Sequence, residues 1–401
     1  MNAADKTHVD RRTFLKQATV VAGGIIWASA SAESVAAQPV PGDGPYGPLL
    51  APNADSIQLP AGFTSRRIAT SGVPVANTTH VWHLNPDGGG CRPMPGGGWV
   101  YVSNGESTDG LGGVSAIAFD AAGTIVDAYP ILSGTTRSCS GGMTPRGTYL
   151  SGEEHPTGRV FECDPTQRSE GIQRPLLGCF AHEMIAVDPA TGAVYMVEDQ
   201  PEGRFYKFQP RLAGDLTAGD TFAARVVDGH VSWEPTSTTE ADRSARTTPF
   251  NGGEGLWIMH DTLYFTTKGD VRVWRLNLVT QQLTVWYDAA TLPGTSLTAV
   301  DNIIGHAASG DLFVAEDGGN MEAVLLNTRG PAVVAPFLRF VGHDASEVTG
   351  IAFSPDGMRF YVSSQRGSDG VNGSTYEVSG PWRRTVDRWS LKQWRRLRTY
   401  R

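Results

Sequence analysis

Charged side chains recur at six places along the chain, each directly after a short apolar segment that carries an aromatic residue. Carboxylates predominate in these clusters, and their oxygens are the ligands that hard cations such as Ca²⁺ prefer. A single Asp or Glu more often caps a turn, but six repetitions of one pattern favour a shared metal site. The clusters are Asn104 and Glu106, Glu153 and Glu154, Glu198 and Asp199, Lys268 and Asp270, Glu316 and Asp317, and Gln365 and Arg366.

The aromatic residues of these segments mark a repeat. Successive members lie 48, 46, 69, 49 and 48 residues apart, at Tyr101, Tyr149, Tyr195, Tyr264, Phe313 and Tyr361. A period near 48 with short strands is typical of β-propeller blades, and the longer interval indicates an insertion in the polar region 209–248. A strand over 63–69 should join the last blade and close the ring. The sequence therefore predicts an all-β fold, a six-bladed β-propeller over residues 61–380.

Equivalent positions of propeller repeats lie around one axis, so the six clusters should form a ring on one face. A second polar position precedes each aromatic residue, and the repeat places it in the innermost strand of its blade. Two rings of carboxylates on one axis would repel strongly unless multivalent cations lie between them. This second set comprises Trp82 and His83, Cys139, His182 and Glu183, Glu254, Asp301 and Asn302, and Glu347.

The chain has four cysteines, and one of them stands in the second set. Cys139 lies within Ser138-Cys139-Ser140-Gly141-Gly142, where a thiolate suits a transition metal such as iron or zinc. A buried structural cysteine or a disulfide is the alternative. Cys163 and Cys179 stand in strand-like segments and indicate a disulfide or a core pair. Cys91, in a Gly-rich loop, carries no assignment.

Composition and charge narrow the classes of partner. The chain has 401 residues, 48 Gly, 25 Pro and 18% charged residues, which suits many short strands joined by tight turns. Its net charge is −8, yet the tail over 381–401 holds eight basic residues and one acid, which leaves about −15 for the rest. An acidic body repels polyanions, so nucleic acid is not expected as a partner. The tail predicts a basic amphipathic helix packed on the propeller, with anionic lipid as the alternative contact.

Residues 1–37 have the pattern of an export signal. Asp10-Arg11-Arg12-Thr13-Phe14-Leu15-Lys16 precedes a weakly apolar stretch that ends in small residues. This order is typical of a twin-arginine signal, with an ordinary Sec signal as the alternative. We therefore expect a periplasmic or extracellular protein that meets the twin-arginine export machinery. A Pro/Gly-rich segment over 38–60 follows, no other segment is expected to span the membrane, and the protein is expected to be a monomer.

Six blocks carry a further signal when taken together and in order: 132–145, 147–154, Phe180-Ala181-His182-Glu183, Phe250-Asn251-Gly252-Gly253-Glu254, Val300-Asp301-Asn302 and 351–357. In this combination the chain resembles the PhoX-type alkaline phosphatases, secreted bacterial enzymes with a twin-arginine signal, from its own signal to about Pro381. The resemblance implies a six-bladed propeller that hydrolyses phosphate monoesters. It also implies Fe³⁺ and Ca²⁺ at the axis, with Fe³⁺ acting as a Lewis acid on phosphoryl oxygens and Ca²⁺ neutralising the charge that builds on the transferring group.

The resemblance assigns metal ligands residue by residue. Cys139 would be the iron thiolate, and the bridging or terminal carboxylates would be Glu154, Glu183, Glu254 and Asp301. The calcium side would comprise Asn104, Glu153, Glu198, Asp199 and Asp317.

The chain departs from the family at the residues expected to bind phosphate. Family members place an Arg close before the glutamate of the fourth block, whereas this chain has Gly252 and Gly253 before Glu254. Lys268 or Arg366 is therefore expected to substitute, and with Asn104 they form the expected catalytic set. Two other classes stay open: a calcium-dependent lactonase or arylesterase with His182 as its base, and a non-catalytic, metal-stabilised binding propeller.

Overall fold

The structure is a computed structural model that describes residues 39–328 and 332–384. The expected signal over 1–37 and most of the basic tail, 385–401, lie outside the described residues. Within them, regular structure is almost entirely β, and three single-turn 3₁₀ helices are the exceptions. No helix of the described residues is long and apolar enough to cross a membrane.

Three strands precede the first repeat: β1 (Val40–Pro41), β2 (Ile57–Gln58) and β3 (Thr64–Thr70). The others form six sheets, numbered here as blades in chain order. Blade one holds β4 (Pro86–Pro93), β5 (Trp99–Gly105), β6 (Gly112–Phe119) and β7 (Ile125–Thr135). Blade two holds β8 (Ser138–Met143), β9 (Tyr149–Glu153), β10 (Val160–Cys163) and β11 (Ile172–Gln173). Blade three holds β12 (His182–Val187), β13 (Val194–Glu198), β14 (Phe205–Pro210), β15 (Gly219–Val227) and β16 (His230–Pro235).

The remaining blades repeat the same antiparallel order. Blade four holds β17 (Gly253–Met259), β18 (Thr262–Thr267), β19 (Arg272–Asn277) and β20 (Leu283–Asp288). Blade five holds β21 (Ile303–His306), β22 (Asp311–Ala315), β23 (Glu322–Leu326) and β24 (Val333–Phe340). Blade six holds β25 (Val348–Phe353), β26 (Arg359–Ser364) and β27 (Ser374–Ser379).

The blades form a closed ring. The first strand of each blade contacts the first strand of the next, and β25 of blade six returns to β4 of blade one. The early strand β3 pairs antiparallel with β27 and so completes blade six, as the sequence predicts. The six-bladed propeller is therefore confirmed, and pairing of an N-terminal strand with the last blade closes the ring.

Two further segments of the sequence join existing blades. The strands β1 and β2, from the Pro/Gly-rich segment, both pair with β24 on the outside of blade five. The insertion over 209–248 lengthens blade three by a fifth strand, β16, which forms a hairpin with β15. Neither addition enters the ring of first strands, so the axis is built from the six repeats.

In blades one and two, the repeated aromatic residue contacts the preceding blade of the ring. Tyr101 of blade one stacks on Tyr361 of blade six with ring centroids 4.6 Å apart. The Tyr101 hydroxyl also donates to the backbone oxygen of Gly350 at 3.0 Å, in the first strand of blade six. The Tyr149 hydroxyl donates in the same way to Gly88 of blade one, at 3.4 Å. The aromatic position thus fixes the seam between blades directly behind the axis.

The first residues of the basic tail pack on the propeller. Trp382 is buried, and its ring lies 4.8 Å from that of Phe63 and 5.1 Å from that of Phe337. Arg383 Nε donates to Asp311 at 2.7 Å. These contacts fix the start of the tail against blades five and six.

Candidate metal centre

Five blades carry a β-bulge in their first strand, and in four of them the bulge contains one candidate metal ligand that lines a central cavity. The pairing register shifts around these residues in β4, β8, β12 and β17. A bulge leaves one residue unpaired and re-aims its side chain, which turns these residues inward. In blades five and six the equivalent residue stands one or two positions before the first strand. The six residues, in blade order, are Asp87, Cys139, Glu183, Glu254, Asp301 and Glu347.

A second ring of cavity residues follows the second strand of each blade: Glu106, Glu154, Asp199, Lys268, Asp317 and Arg366. Side chains alternate in direction along a strand, so the acid just before such a residue turns away from the cavity. Glu153 accepts from the backbone nitrogens of Thr136 and Arg159 at 2.9 and 3.2 Å. Each double-acid cluster therefore holds one carboxylate that ties a loop and one that faces the cavity.

The cavity has a volume of about 130 Å³ and is lined by the two rings together with Arg137. A single water needs about 10–15 Å³ of such space, so several ions or waters fit. The lining comprises nine carboxylates, the Cys139 thiol and three cationic side chains. When the carboxylates and the three cations are ionised and the thiol is neutral, negative charge exceeds positive charge by six, which is the electrostatic setting of a site for multivalent cations.

Three groups of ligand atoms, called the metal-competent groups below, are each close enough to share a cation. They are Asp87, Glu106 and Cys139; Cys139, Glu154 and Glu183; and Glu183, Glu254 and Asp301, each with its ligand atoms within 4.8 Å of one another. Cys139 and Glu183 each belong to two groups, so the groups run side by side around the axis. Glu183 is 1% exposed, and its Oε1 has no hydrogen-bond partner among the described residues. A buried carboxylate oxygen without a partner is strongly unfavourable, and a cation would satisfy it.

Burial raises the pKa values of several carboxyl groups in the cavity. The pKa of Glu154 rises to about 9, first because of burial and then because of Glu106. Burial, followed by Asp317, raises the pKa of Glu347 to about 8. The pKa of the Cys139 thiol also rises, through burial and then Asp87. Without cations, therefore, the cavity retains protons at neutral pH.

Two of the sequence-predicted cations lie at the cavity and pair with its carboxylates. Lys268 Nζ lies 2.7 Å from Asp199 Oδ2 and 2.8 Å from Glu254 Oε1. Arg366 Nη2 lies 2.5 Å from Glu347 Oε1. Both side chains are more than a third exposed, so they reach from the cavity wall towards solvent.

Most of the predicted site residues meet at the cavity, and three do not line it. The structure brings together Cys139, Glu154, Glu183, Asp199, Glu254, Lys268, Asp301, Asp317 and Arg366. Glu153 ties a loop as described, and Glu198 pairs with Arg243 at 2.5 Å and accepts from Tyr206 at 3.0 Å. Asn104 Nδ2 donates to the backbone oxygen of Ser140 at 3.0 Å, behind the wall.

Sequence reasoning missed two residues of the lining altogether, Asp87 and Arg137. It placed His83 in the first strand of blade one, but His83 is half-buried outside the cavity lining and its Nε2 lies 3.1 Å from Ser103 Oγ. The run of glycines after Asp87 could have identified it as a ligand position, since Cys139 and Glu254 are also followed closely by glycines. A Cβ at Gly255 would lie 2.5 Å from the Asp301 backbone oxygen of the next blade. A candidate ligand followed by a glycine thus marks a place where the first strands of two neighbouring blades lie close together.

All four cysteines are free thiols in the structure. Cys163 and Cys179 are buried separately in the core, so the disulfide alternative for this pair does not hold here. Cys139 Sγ lies 3.4 Å from Asp87 Oδ2, at the point where two of the metal-competent groups meet.

Substitution of adjacent acids should separate their roles. Glu153→Ala leaves two backbone donors without their acceptor and should lower the free energy of unfolding by about 1–3 kcal/mol. Glu154→Ala removes a carboxylate of one of the three ligand groups, so it should weaken metal binding. It also removes a repelling charge, so it should not destabilise the metal-free protein. Denaturant unfolding in chelator and the metal content of the purified variants measure the two effects. Equal loss of bound metal in both variants would contradict the assignment.

Metal-free protein should become less stable as the pH rises from about 5 to 9. The folded-state pKa values of Glu154 and Glu347, about 9 and about 8, exceed the unfolded value of roughly 4.3. The folded protein then binds more protons across this interval, so raising the pH favours unfolding. Melting temperatures measured in chelator should fall by several degrees over the interval, and Ca²⁺ should flatten the dependence. A metal-free stability that rises with pH would refute this account.

The sequence and the fold are each similar to known proteins. The profile of the family described as "Alkaline phosphatase PhoX" matches residues 155–219, a segment that includes Glu183 and Asp199. No curated protein matches the chain in sequence.

Two solved structures illustrate the similarity in fold. PhoX of Pseudomonas fluorescens, solved in complex with vanadate, a transition state analogue, matches with a TM-score of 0.65 and 17% identity, over 86% of this chain and 97% of that chain. A gluconolactonase from Xanthomonas campestris matches with a TM-score of 0.46 and 11% identity, over 84% of this chain and 99% of that chain, which supports no functional argument. The resemblance to the PhoX-type alkaline phosphatases is therefore confirmed by the family profile over residues 155–219, and the chain shares the fold of the Pseudomonas enzyme.

Proposed function

We propose that this protein is an exported, metal-dependent phosphatase, a phosphoric monoester hydrolase that acts on small phosphorylated substrates. The proposal is carried by the chemistry of one cavity, which combines nine carboxylates and a thiol for cations with three cationic side chains for an anion. Phosphoryl transfer requires such a combination, because cations must offset the charge of the phosphoryl group and of the attacking oxygen. The match of the PhoX family profile supports the same reaction.

The donors at the cavity fit the two cations that the PhoX resemblance implies. Cys139 is a soft ligand that suits iron, and the residues proposed to complete the Fe³⁺ set are Glu154, Glu183, Glu254 and Asp301. Oxygen donors suit Ca²⁺, for which we propose Asp199, Asp317, Asp87, Glu106 and Glu347. When bound, these ions would polarise phosphoryl oxygens and activate the attacking nucleophile.

Lys268 and Arg366 are proposed to bind the phosphate. Gly252 has a φ of +70°, and a Cβ there would lie 2.9 Å from Lys268 Cγ, so the glycine makes room for the lysine side chain. Burial lowers the pKa of Lys268, but Glu254 and Asp199 raise it further, which leaves it above its ordinary value. The lysine therefore remains a cation at alkaline pH.

The three predicted residues outside the lining are proposed to support the site rather than bind metal. Glu153 and Glu198 orient the loops that carry Glu154 and Asp199, because each accepts a backbone N–H from its own loop, Glu153 from Arg159 and Glu198 from Arg204. Asn104 joins the first two blades through its contacts with Ser140 and Ser151.

The lactonase alternative has weaker support. Its candidate base, His182, is fully buried, stacks on Phe180 at 3.7 Å and does not line the cavity. Burial lowers the pKa of His182 to about 3, so the ring remains neutral. A general base must lie within reach of its substrate, and His182 does not.

We propose that the protein works in the periplasm or outside the cell after export by the twin-arginine route. Arg11 and Arg12, with the following Phe14-Leu15-Lys16, support this location. That route carries folded proteins, so metal ions could be loaded into the cavity before export. We propose that the exported protein is a monomer.

Purified protein should hydrolyse p-nitrophenyl phosphate at alkaline pH. A calcium chelator should remove most of the activity, because the oxygen-rich ring would lose its cations, and re-added Ca²⁺ should restore it. Release of p-nitrophenol measures the rate. Cleavage of a lactone with no phosphatase activity, in protein supplied with both iron and calcium, would favour the esterase class. Inactivity on both substrates would favour a binding propeller.

Cys139→Ser should lose iron and most activity while the fold is retained. Only a deprotonated sulfur coordinates metal, and serine offers a poor substitute for it. Elemental analysis, the charge-transfer colour of ferric thiolate and the melting temperature together measure the effect. Cys91→Ser, outside the cavity, is the matched control and should keep its iron. Full iron occupancy in Cys139→Ser would refute the thiolate assignment and leave the carboxylates as the only proposed ligands.

A further inference from the structure

Arg137 is held in an uncommon backbone conformation directly before β8. Its φ is +53°, in the left-handed region that residues with a long side chain seldom occupy. The backbone nitrogen of Arg137 donates to Ser107 at 2.7 Å, and its oxygen accepts from Glu154 at 2.8 Å. Such strain persists only where the surroundings enforce it, and it clusters at functional sites. The two bonds fix the direction in which this side chain leaves the loop.

The guanidinium of Arg137 lies between two carboxylates of neighbouring blades. Nε donates to Glu106 at 3.1 Å and Nη2 to Glu154 at 2.6 Å. Each carboxylate belongs to a different metal-competent group, and both groups contain Cys139. Arg137 therefore contacts two adjacent candidate metal sites at once. No hydrogen bond to Nη1 is found within the described ranges, and 40% of the side chain is exposed at the cavity.

The other two cations at the cavity have less suitable contacts. Lys268 offers a point charge, whereas a guanidinium matches two oxygens of one phosphate at the same time. Arg366 pairs with Glu347, which belongs to none of the three metal-competent groups. By contact with those groups and by the planar fork of its donors, Arg137 is the best placed of the three to bind an anion held by the metals.

We propose that Arg137 is a phosphate-binding residue of this cavity and its principal contact with the phosphoryl oxygens. The role rests on the proposed phosphatase function and assigns the anion contact to the junction of blades one and two. Cations compete with the guanidinium for the oxygens of Glu106 and Glu154. Metal binding thus releases donors of Arg137 to the anion, and by linkage phosphate binding should depend on bound metal.

The alternative for Arg137 is a purely structural role, in which the guanidinium only screens the repulsion between Glu106 and Glu154. The two roles differ in what a substitution changes. A screening residue would alter the melting temperature and the metal content, whereas a phosphate-binding residue would alter the affinity for phosphate in protein with its full metal content.

Titration of inorganic phosphate into metal-loaded full-length protein, followed by calorimetry, tests the proposal. Arg137→Met should weaken phosphate binding about tenfold or more, with metal content and melting temperature unchanged. Arg137→Lys should have an intermediate affinity for phosphate, because lysine keeps the positive charge but lacks the paired donors of the guanidinium. Arg225→Met is the control, since Arg225 is half exposed on β15 and pairs with Glu234 outside the cavity. It should bind phosphate as the unaltered protein does.

Each outcome decides one question. Unchanged phosphate affinity in Arg137→Met overturns the proposal, and so does loss of metal together with phosphate. If Arg137→Met does not fold, Arg137→Lys decides, since wild-type affinity in that variant also overturns it. If phosphate binds through Arg137 but no monoester is hydrolysed, the proposed function fails and this inference stands. If the unaltered protein binds no phosphate, both fail.

Discussion

Mutual repulsion among buried carboxylates governs the design of this propeller. Nine of them converge on a cavity of about 130 Å³. Ionised pairs at such distances repel by several kcal/mol at intermediate dielectric, and burial adds to the cost. Protons, the three paired cations or bound metal ions must offset this charge in every state of the folded protein. Within this ring the carboxylates cannot separate to relieve it, because each first strand is fixed between two neighbours and backed by aromatic seams such as Tyr101 on Tyr361.

Much of the fold could be predicted because its repeat is visible in the sequence as a regular spacing of residues. The 48-residue spacing of aromatic residues follows from one equivalent position per blade, and the closing strand near Phe63 follows from the need to cover an edge. Pairing of β1 and β2 with β24 could not be predicted, since strands of two residues have no periodicity to detect. Their place depends on which outer edge remains open after the blades have assembled.

The site was harder to predict than the fold, and Glu153 and Glu154 show why. The two neighbours have the same chemistry and similar burial, yet one ties a loop and the other lines the cavity. Which of them faces inward depends on where β9 ends and on the pleat at that point, and sequence locates strand ends only to within a few residues. Asp87 was missed for a related reason, because a bulge in β4 changes the direction of its side chain.

The electrostatics that favour metal binding also determine how the three cationic side chains at the cavity would contact a substrate. Arg137 and Lys268 each contact carboxylates from two neighbouring blades, so each offsets repulsion across a seam. A multivalent cation offsets that repulsion more strongly than a guanidinium or an ammonium does, because it brings more charge to the same oxygens. Under the proposed function, bound metal would therefore make the side-chain cations redundant for the acids and available for an anion. In this arrangement one set of carboxylates would collect the metals and, through the cations they release, prepare the cavity for phosphate.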